Sequence, residues 1–194
     1  MPLNVIFLLK TALPKSTVCL KAEELKRFCE EASKKTVVLI DEAYNDFLDN
    51  ADSQSMIGLI EKNPNILVIK TFSKIHAMAG LRIGFVIGHP TLIKKLQPDY
   101  FQSSQLAVSV LSLNAAMTSL TDEEHKAICK QKNEVARKYT MDEMKKMGIQ
   151  FIPSYTNFIF YPVKNYPGEY SADMFEKHKI IMGQINTVMV NGQE

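Results

Sequence analysis

Short apolar segments that alternate with an amphipathic one constrain the fold of this chain more than any other feature. Leu3–Leu9, Val37–Ile40, Ile66–Lys70 and Ile83–Ile87 have the length and residue types of strands. Between the first two, Ala22–Ser33 is amphipathic with the period of a helix. The apolar face of this helix contains Leu25, Phe28, Cys29 and Ala32. Because strands and helices alternate, we predict an α/β fold with a partial, mostly parallel sheet flanked by helices.

The pattern becomes mainly helical after Pro90. Ser104–Leu120 is rich in Ala, Leu, Val and Met, which predicts a long and largely buried helix. Thr121 and Glu124 form the pattern of a capping box, so we expect another helix to begin there and to end at Gly148. The other expected elements are helices at 55–61 and 171–179 and strands at 149–152 and 157–163.

These patterns divide the chain into two expected domains. Residues 1–120 would form part of a larger, ligand-binding domain, and residues 121–194 part of a smaller C-terminal α/β domain. The sheet region is small, and the last residues complete no recognisable element. We therefore expect the chain to be truncated at both ends.

The composition excludes several classes of protein. The net charge of +2 arises from 23 basic and 21 acidic residues that do not cluster, so nucleic-acid binding is not indicated. No apolar run is long enough to cross a bilayer, and the first residues lack the features of a secretory signal. The three cysteines and four histidines have no metal-ligand spacing. We expect a protein of the reducing cytoplasm, with no metal site and no membrane or nucleic-acid partner.

Chemically active side chains follow the ends of two predicted strands. Asp41 and Tyr44 come directly after the second strand, and Lys74 comes shortly after the third. Open α/β sheets bind ligands at the carboxyl ends of their strands. A lysine at that edge indicates covalent chemistry on a cofactor that contains a carbonyl group. Each residue alone is more often an ordinary surface residue, so the interpretation depends on their combination.

Three segments resemble one family of enzymes in order and in spacing. They are Asp41-Glu42-Ala43-Tyr44, Thr71-Phe72-Ser73-Lys74 and Gly80-Leu81-Arg82, with 33 positions from Asp41 to Lys74 and eight from Lys74 to Arg82. The chain resembles the fold-type I aminotransferases that use pyridoxal phosphate, most closely the histidinol-phosphate aminotransferases. The resemblance extends over nearly the whole chain, which has about half of the family's usual length.

The resemblance implies pyridoxal 5′-phosphate as the cofactor and a role for each matching residue. Lys74 would form the Schiff base with the cofactor aldehyde and, once freed, would transfer the substrate proton. Asp41 would keep the pyridine nitrogen protonated, and Tyr44 would bind the phenolic oxygen. Arg82 would hold the phosphate through two parallel hydrogen bonds. Further hydroxyl donors to this phosphate would be Thr71 and Ser73.

The implied reaction moves an amino group from an amino donor to a keto acid, with histidinol phosphate as the candidate substrate in histidine biosynthesis. Because two subunits build each site in this family, a homodimer is implied for the intact protein. The chain departs from the family in the loop Lys10–Ser16, where Leu13 replaces the asparagine that binds the phenolic oxygen. The upstream phosphate turn is not matched. Neither is the downstream arginine for the substrate carboxylate, because Arg137 lies in a predicted helix.

Two other interpretations remain open. A decarboxylase of the same fold, acting on a phosphorylated amino acid, would use the same cofactor residues. A truncated, non-catalytic member of the family would fold or bind the cofactor without turnover, and we expect transamination by this chain to be very slow or absent. A nucleotide-binding domain is disfavoured, because no glycine-rich loop joins the first strand to its helix.

Overall fold

The computed structural model describes residues 22–96, 108–163 and 166–183, together with the backbone of residues 5–9. The chain forms two compact units, Met1–Phe160 and Tyr161–Glu194. This division concerns packing, and the functional boundary expected at residue 120 stays a prediction. The loop with Leu13, Cys19 and the C-terminal residues lie outside the described residues.

A four-stranded sheet forms the centre of the first unit. Its strands are β1 (Val5–Leu9), β2 (Val37–Asp41), β3 (Ile66–Thr71) and β4 (Gly84–Gly88), side by side in chain order. The pairs β1–β2 and β2–β3 are parallel, whereas β4 runs antiparallel to β3. The prediction of an α/β fold with a partial, mostly parallel sheet is therefore confirmed.

Helix α1 (Ala22–Ser33) packs on one face of the sheet, because its apolar stripe meets alternate residues of the strands. The buried cluster on this face consists of Leu25, Cys29, Val38, Ile40, Met56, Ile60, Ile66 and Val68. Cys29 is inaccessible, which confirms its interpretation as a core residue. Phe28 is 42% exposed, so its predicted place on the buried stripe is wrong.

The segment between β2 and β3 is less regular than predicted. The expected helix at 55–61 is replaced by the short α2 (Ala51–Gln54) and a 3₁₀ helix at Ile57–Leu59. The buried residue between them, Met56, donates its backbone N–H to a side-chain oxygen of Glu42 at 2.7 Å. The Met56 N–H therefore donates to a side chain, whereas in a continuous helix it would donate to a backbone carbonyl of the preceding turn.

Two further helices pack in the first unit after β4. Helix α3 (Pro90–Leu96), which the sequence pattern did not predict, packs against the opposite face of the sheet from α1 through Leu92. Helix α4 (Val110–Leu120) buries Ser112 and Ala116, whereas its Leu111 is 78% exposed. The expectation of a largely buried helix is therefore wrong for the part of it that the structure describes, since apolar composition does not reveal which faces find partners.

Helix α5 (Glu123–Lys146) begins with a different cap from the one predicted. The side chain of Asp122 accepts a hydrogen bond from the His125 N–H at 2.9 Å, whereas the Thr121 hydroxyl donates to a carbonyl of α4. A carboxylate caps a helix about as well as a hydroxyl, so either residue satisfied the sequence pattern. The predicted end is confirmed, because Gly148 has φ of +69° and closes the helix in the left-handed conformation.

The two strands predicted after α5 are reduced to a bridge between Ile152 and Phe160. Between these residues, the buried Thr156 hydroxyl binds the Ser154 side chain and the backbone of Phe158. These local hydrogen bonds compete with pairing between strands. In the second unit, α6 (Tyr170–His178) agrees with the predicted helix. Within the described ranges, no helix has both the length and the apolar character needed to span a membrane.

Candidate active site

The ends of β2 and β3 lie at one edge of the sheet. Asp41, the last residue of β2, pairs with Ile69 of β3, and the next amide, that of Glu42, donates to the Ile69 carbonyl at 2.9 Å. Because the two strands are parallel, the loops that follow them start at the same edge. The sheet therefore places the turn from Asp41 to Tyr44 beside the loop 73–82, which joins β3 to β4 and carries Lys74.

Lys74 and Tyr44 are in direct contact. The Nζ atom of Lys74 lies 5.1 Å from the centroid of the Tyr44 ring, within the range of a cation–π interaction. Among the described residues, Lys74 has no ion-pair partner. Lys70, on β3, differs in this respect because it pairs with Asp46 at 2.8 Å. The half-buried amine of Lys74 thus remains available to a ligand.

Asp41 is held by the turn that it begins. Its Oδ1 atom accepts a hydrogen bond from the Ala43 N–H at 2.9 Å, the geometry of an Asx turn. This bond orients the carboxylate and directs the chain toward Tyr44. In the part of the chain that the structure describes, the other oxygen of Asp41 has no hydrogen-bond partner.

Closure of the loop 73–82 organises the hydroxyl groups predicted to bind phosphate. The Phe72 N–H donates to the Ile83 carbonyl at 3.2 Å, which brings the two ends of the loop together. The Thr71 hydroxyl accepts a hydrogen bond from the Ser73 N–H at 3.1 Å, so it is already used within the loop. The Ser73 hydroxyl itself has no partner among the described residues.

Arg82 lies at the other end of the same loop. Its φ of +50° places it in the left-handed region, which is uncommon for a residue with a side chain. The exposed guanidinium donates to the Ala79 carbonyl at 3.1 Å and has no ion-pair partner in the described ranges. Ser73 and Arg82 therefore flank the base of the loop. The structure thus brings Lys74 and Tyr44 into contact. The other predicted site residues make only local contacts within the segments that follow β2 and β3, so their roles in a common site stay predictions.

Aromatic residues surround Tyr44, a feature that sequence reasoning missed. Phe158 meets the Tyr44 ring edge-on with centroids 5.1 Å apart, and Phe47 stacks on it at 6.5 Å. The segment that carries Phe158 is held by α5, since the Asn133 side chain donates to the Thr156 carbonyl at 3.2 Å. The apolar residues at 157–163 predicted a strand, but such a pattern does not show which residues the side chain of Phe158 contacts.

Helix α5 supports both sides of this aromatic group. Lys130 donates to the Leu48 carbonyl at 2.8 Å, close after Phe47 in the chain. Arg137, two turns further along the same face of the helix, donates to the Tyr155 carbonyl at 2.6 Å. The prediction that Arg137 lies in a helix is confirmed.

A buried carboxylate next to Asp41 is the other residue that sequence reasoning undervalued. Glu42 is inaccessible, and its two oxygens accept hydrogen bonds from the Met56 N–H at 2.7 Å and from the Ser55 hydroxyl at 2.8 Å. A buried charge requires such partners, and hydrogen bonds to a charged acceptor are short and strong. Glu42 therefore ties the turn after β2 to the segment that leads into β3.

Helix α4 supports the loop 73–82. The Ser112 hydroxyl donates to the Leu81 carbonyl at 2.9 Å, and the Ser119 hydroxyl is hydrogen-bonded to Nδ1 of His76 at 2.7 Å. The apolar contact between these two bonds consists of Phe72, Ile83 and Ala116. The loop that carries Lys74 is thus fixed at both of its ends.

This architecture and these motifs place the chain in a known family. Residues 16–193 match the family model of the class I and II aminotransferases, and the chain belongs to this family.

Individual relatives refine the comparison. A histidinol-phosphate aminotransferase from Clostridium botulinum (strain Okra / Type B1) is 38% identical over 162 residues, which are 84% of this chain and 44% of the relative. The chain thus spans less than half the length of this curated relative.

Solved structures share the fold. A histidinol-phosphate aminotransferase from Sinorhizobium meliloti, in complex with pyridoxal-5′-phosphate, has a TM-score of 0.77 at 21% identity over 92% of this chain and 48% of its own. L-Threonine-O-3-phosphate decarboxylase from Porphyromonas gingivalis has a TM-score of 0.73 at 20% identity over 92% of this chain and 53% of its own. At these identities, both comparisons show the fold alone.

The replacement Glu42→Gln tests whether the buried carboxylate holds the turn. An amide keeps the shape of the side chain but presents a donor to Ser55 or Met56, both of which donate to Glu42 in the native chain. We expect the free energy of unfolding to fall by about 1–3 kcal/mol, measured by urea denaturation. Glu61→Gln, at an exposed position, is the matched control. Equal losses in the two variants would contradict the role of Glu42.

Proposed function

We propose that this chain carries the cofactor-binding part of a pyridoxal-phosphate-dependent aminotransferase, with Lys74 as the residue that binds the cofactor covalently. The observation that carries the proposal is the position of the Lys74 amine, 5.1 Å from the Tyr44 ring centroid at the sheet edge where β2 ends in Asp41. Membership of a family that depends on this cofactor supports it.

The side chains at this edge fit the cofactor chemically. A primary amine attacks an aldehyde, a carboxylate binds a protonated pyridine nitrogen, and a guanidinium with hydroxyl groups binds a phosphate. Among the described residues, neither the Lys74 amine nor the Ser73 hydroxyl has a competing polar partner. Arg82 donates to the backbone from one nitrogen only. These groups are therefore free to bind a ligand.

When bound, the cofactor supplies an electron-withdrawing ring that stabilises negative charge on the substrate carbon. Lys74 would hold the cofactor through its amine, and the same Nζ atom would be the group that accepts and returns the substrate proton. Asp41 holds a proton on the pyridine nitrogen, because its negative charge favours the cationic form. Tyr44 orients the cofactor through its hydroxyl and limits the positions of the Lys74 amine through its ring. Arg82 and Ser73 would hold the phosphate, and Thr71 would add a donor by turning its hydroxyl away from the Ile83 carbonyl, which lies 3.5 Å from it here.

The likeness to curated histidinol-phosphate aminotransferases supports histidinol phosphate as the amino donor, with a keto acid as the acceptor. We infer that the whole protein acts in histidine biosynthesis, as a homodimer in the cytoplasm. Among the described residues, Cys29 and Cys129 form no disulfide, which is compatible with that compartment. The exposed apolar residues of α4, including Leu111, are compatible with coverage by further protein.

A decarboxylase that acts on a phosphorylated amino acid is the second candidate, because a protein with that activity has the same fold. The relatives matched by sequence favour transamination.

The products distinguish the two reactions. We expect the chain, supplied with cofactor, histidinol phosphate and a keto acid, to move the amino group slowly to the keto acid and to release no carbon dioxide from O-phosphothreonine. The rate is expected to be low because Leu13 stands where the family has the asparagine that binds the phenolic oxygen. Carbon dioxide release without amino transfer would support the decarboxylase, and the absence of both would support a non-catalytic member of the family.

The replacement Lys74→Ala tests the proposed covalent bond. We expect the native chain, incubated with pyridoxal 5′-phosphate and then reduced with borohydride, to carry the cofactor mass on Lys74, as located by peptide mass spectrometry. The variant is expected to lose this modification together with the visible absorption band of the bound cofactor. Lys62→Ala removes an exposed lysine and serves as the control. An unchanged absorption band in Lys74→Ala, together with labelling at other lysines, would show that Lys74 does not bind the cofactor covalently.

A further inference from the structure

His76 lies two residues after Lys74 in the loop 73–82, and its placement is unusual for a loop residue. The side chain is 7% exposed, although both the residue after it, Ala77, and the residues near the end of the loop are exposed. Its ring packs against Phe72 with centroids 4.8 Å apart. A loop that buries a polar ring in this way requires a partner for the ring nitrogens.

The partner is on another element. Nδ1 of His76 is 2.7 Å from the hydroxyl oxygen of Ser119, near the end of α4. Either ring tautomer allows this hydrogen bond, since the hydroxyl both donates and accepts. The contact joins positions that are 43 residues apart, so it fixes the loop to a helix and not to itself.

The loop backbone needs such an attachment. Ala77 has φ of +57°, in the left-handed region that residues with a side chain adopt only when their surroundings impose it. The Ala77 N–H donates to the Lys74 carbonyl at 3.0 Å, and the Met78 N–H donates to the Phe72 carbonyl at 3.0 Å. These bonds form the tight turn that immediately follows Lys74, and His76 is the residue inside that turn.

The charges around His76 favour the neutral ring in this position. Burial lowers its pKa from the ordinary value, and repulsion from Lys126 of α5 lowers it further, while Asp46 acts in the opposite direction. His125 and Lys70 add smaller repulsions. A neutral imidazole can stay buried beside these cations, whereas burial and repulsion both disfavour a protonated imidazole in the same place.

We propose that His76 is a positioning residue for Lys74: its hydrogen bond to Ser119 anchors the turn after Lys74 to α4 and thereby holds the Lys74 amine against Tyr44. The inference deepens the proposed function, on which its reactivity readout rests. His76 is not proposed to touch the cofactor or the reacting atoms. Its effect passes through the backbone of the turn.

Two replacements of Ser119 test the proposal, with Thr118→Ala as the matched control. Ser119→Ala removes the hydroxyl that bonds to His76, and Ser119→Thr retains a hydroxyl at the same position. Thr118→Ala removes a neighbouring hydroxyl that donates to the Asn114 carbonyl within α4. The unaltered 194-residue chain and the three variants are compared.

The first readout is the rate of borohydride-trapped labelling of Lys74 by pyridoxal 5′-phosphate. We expect Ser119→Ala to slow it about fivefold, the change that corresponds to one hydrogen bond, and Ser119→Thr to restore it. Thr118→Ala is expected to leave the rate unchanged. Rescue by threonine separates anchoring by a hydroxyl from a general loss of packing. A Ser119→Ala rate equal to the native rate, or an equal loss in Thr118→Ala, would overturn the proposal.

The second readout needs no cofactor. Hydrogen–deuterium exchange of peptides that cover residues 73–82 is expected to be faster in Ser119→Ala than in the native chain or in Thr118→Ala. His76→Phe, which keeps a ring against Phe72, is expected to raise exchange similarly, and adding Ser119→Ala to it should have no further effect. If the native chain does not label Lys74, the proposed function fails, yet exchange still decides the anchoring role. Unchanged exchange in Ser119→Ala would refute that role.

Discussion

The parallel pairing of β2 with β3 is the constraint on which the candidate site depends. In the observed register Asp41 pairs with Ile69, so the turn after β2 and the loop after β3 leave the sheet at one edge. A shift of one residue would turn the side chain of Asp41 to the opposite face of the sheet. The buried residues on both faces oppose such a shift, because Val38, Ile40 and Val68 on one face would exchange places with Val37, Leu39 and Leu67 on the other. The packing of the core therefore fixes the register of β2 and β3, and the register determines which side chains lie at the edge of the sheet.

The strands bring the two loops to one edge, and the helices give them their shape. Helix α4 holds the loop 73–82 through Ser112 and Ser119, while α5 supports the surroundings of Tyr44 through Lys130 and Arg137. Each of these side chains binds a backbone carbonyl or a buried ring, and none belongs to the sequence motifs of the site. The segments that carry Lys74 and Tyr44 are thus held by polar contacts with residues far away in the chain.

Local patterns were sufficient to predict the sheet, α1 and the sheet edge at which the segments with Tyr44 and Lys74 begin, because these depend on residue types at short spacing and on the geometry of parallel strands. Contacts that depend on tertiary packing were not predictable in this way. The helix α5 could have been capped by Thr121 or by Asp122, and the sequence does not distinguish the two. Near Phe158, the Thr156 hydroxyl forms local hydrogen bonds in place of pairing between strands. The roles of Arg82, Ser73 and Thr71 toward a phosphate stay predictions.

The central claim is that a primary amine and a carboxylate, carried by neighbouring strands, face the same ligand ring. A crystal structure of the chain after soaking with pyridoxal 5′-phosphate tests it most directly. The account predicts a ring that is covalently attached to Nζ of Lys74, with its nitrogen within hydrogen-bond distance of Asp41 and its phosphate at Arg82. A cofactor attached to another lysine, or a ring at Lys74 whose nitrogen points away from Asp41, would contradict the account.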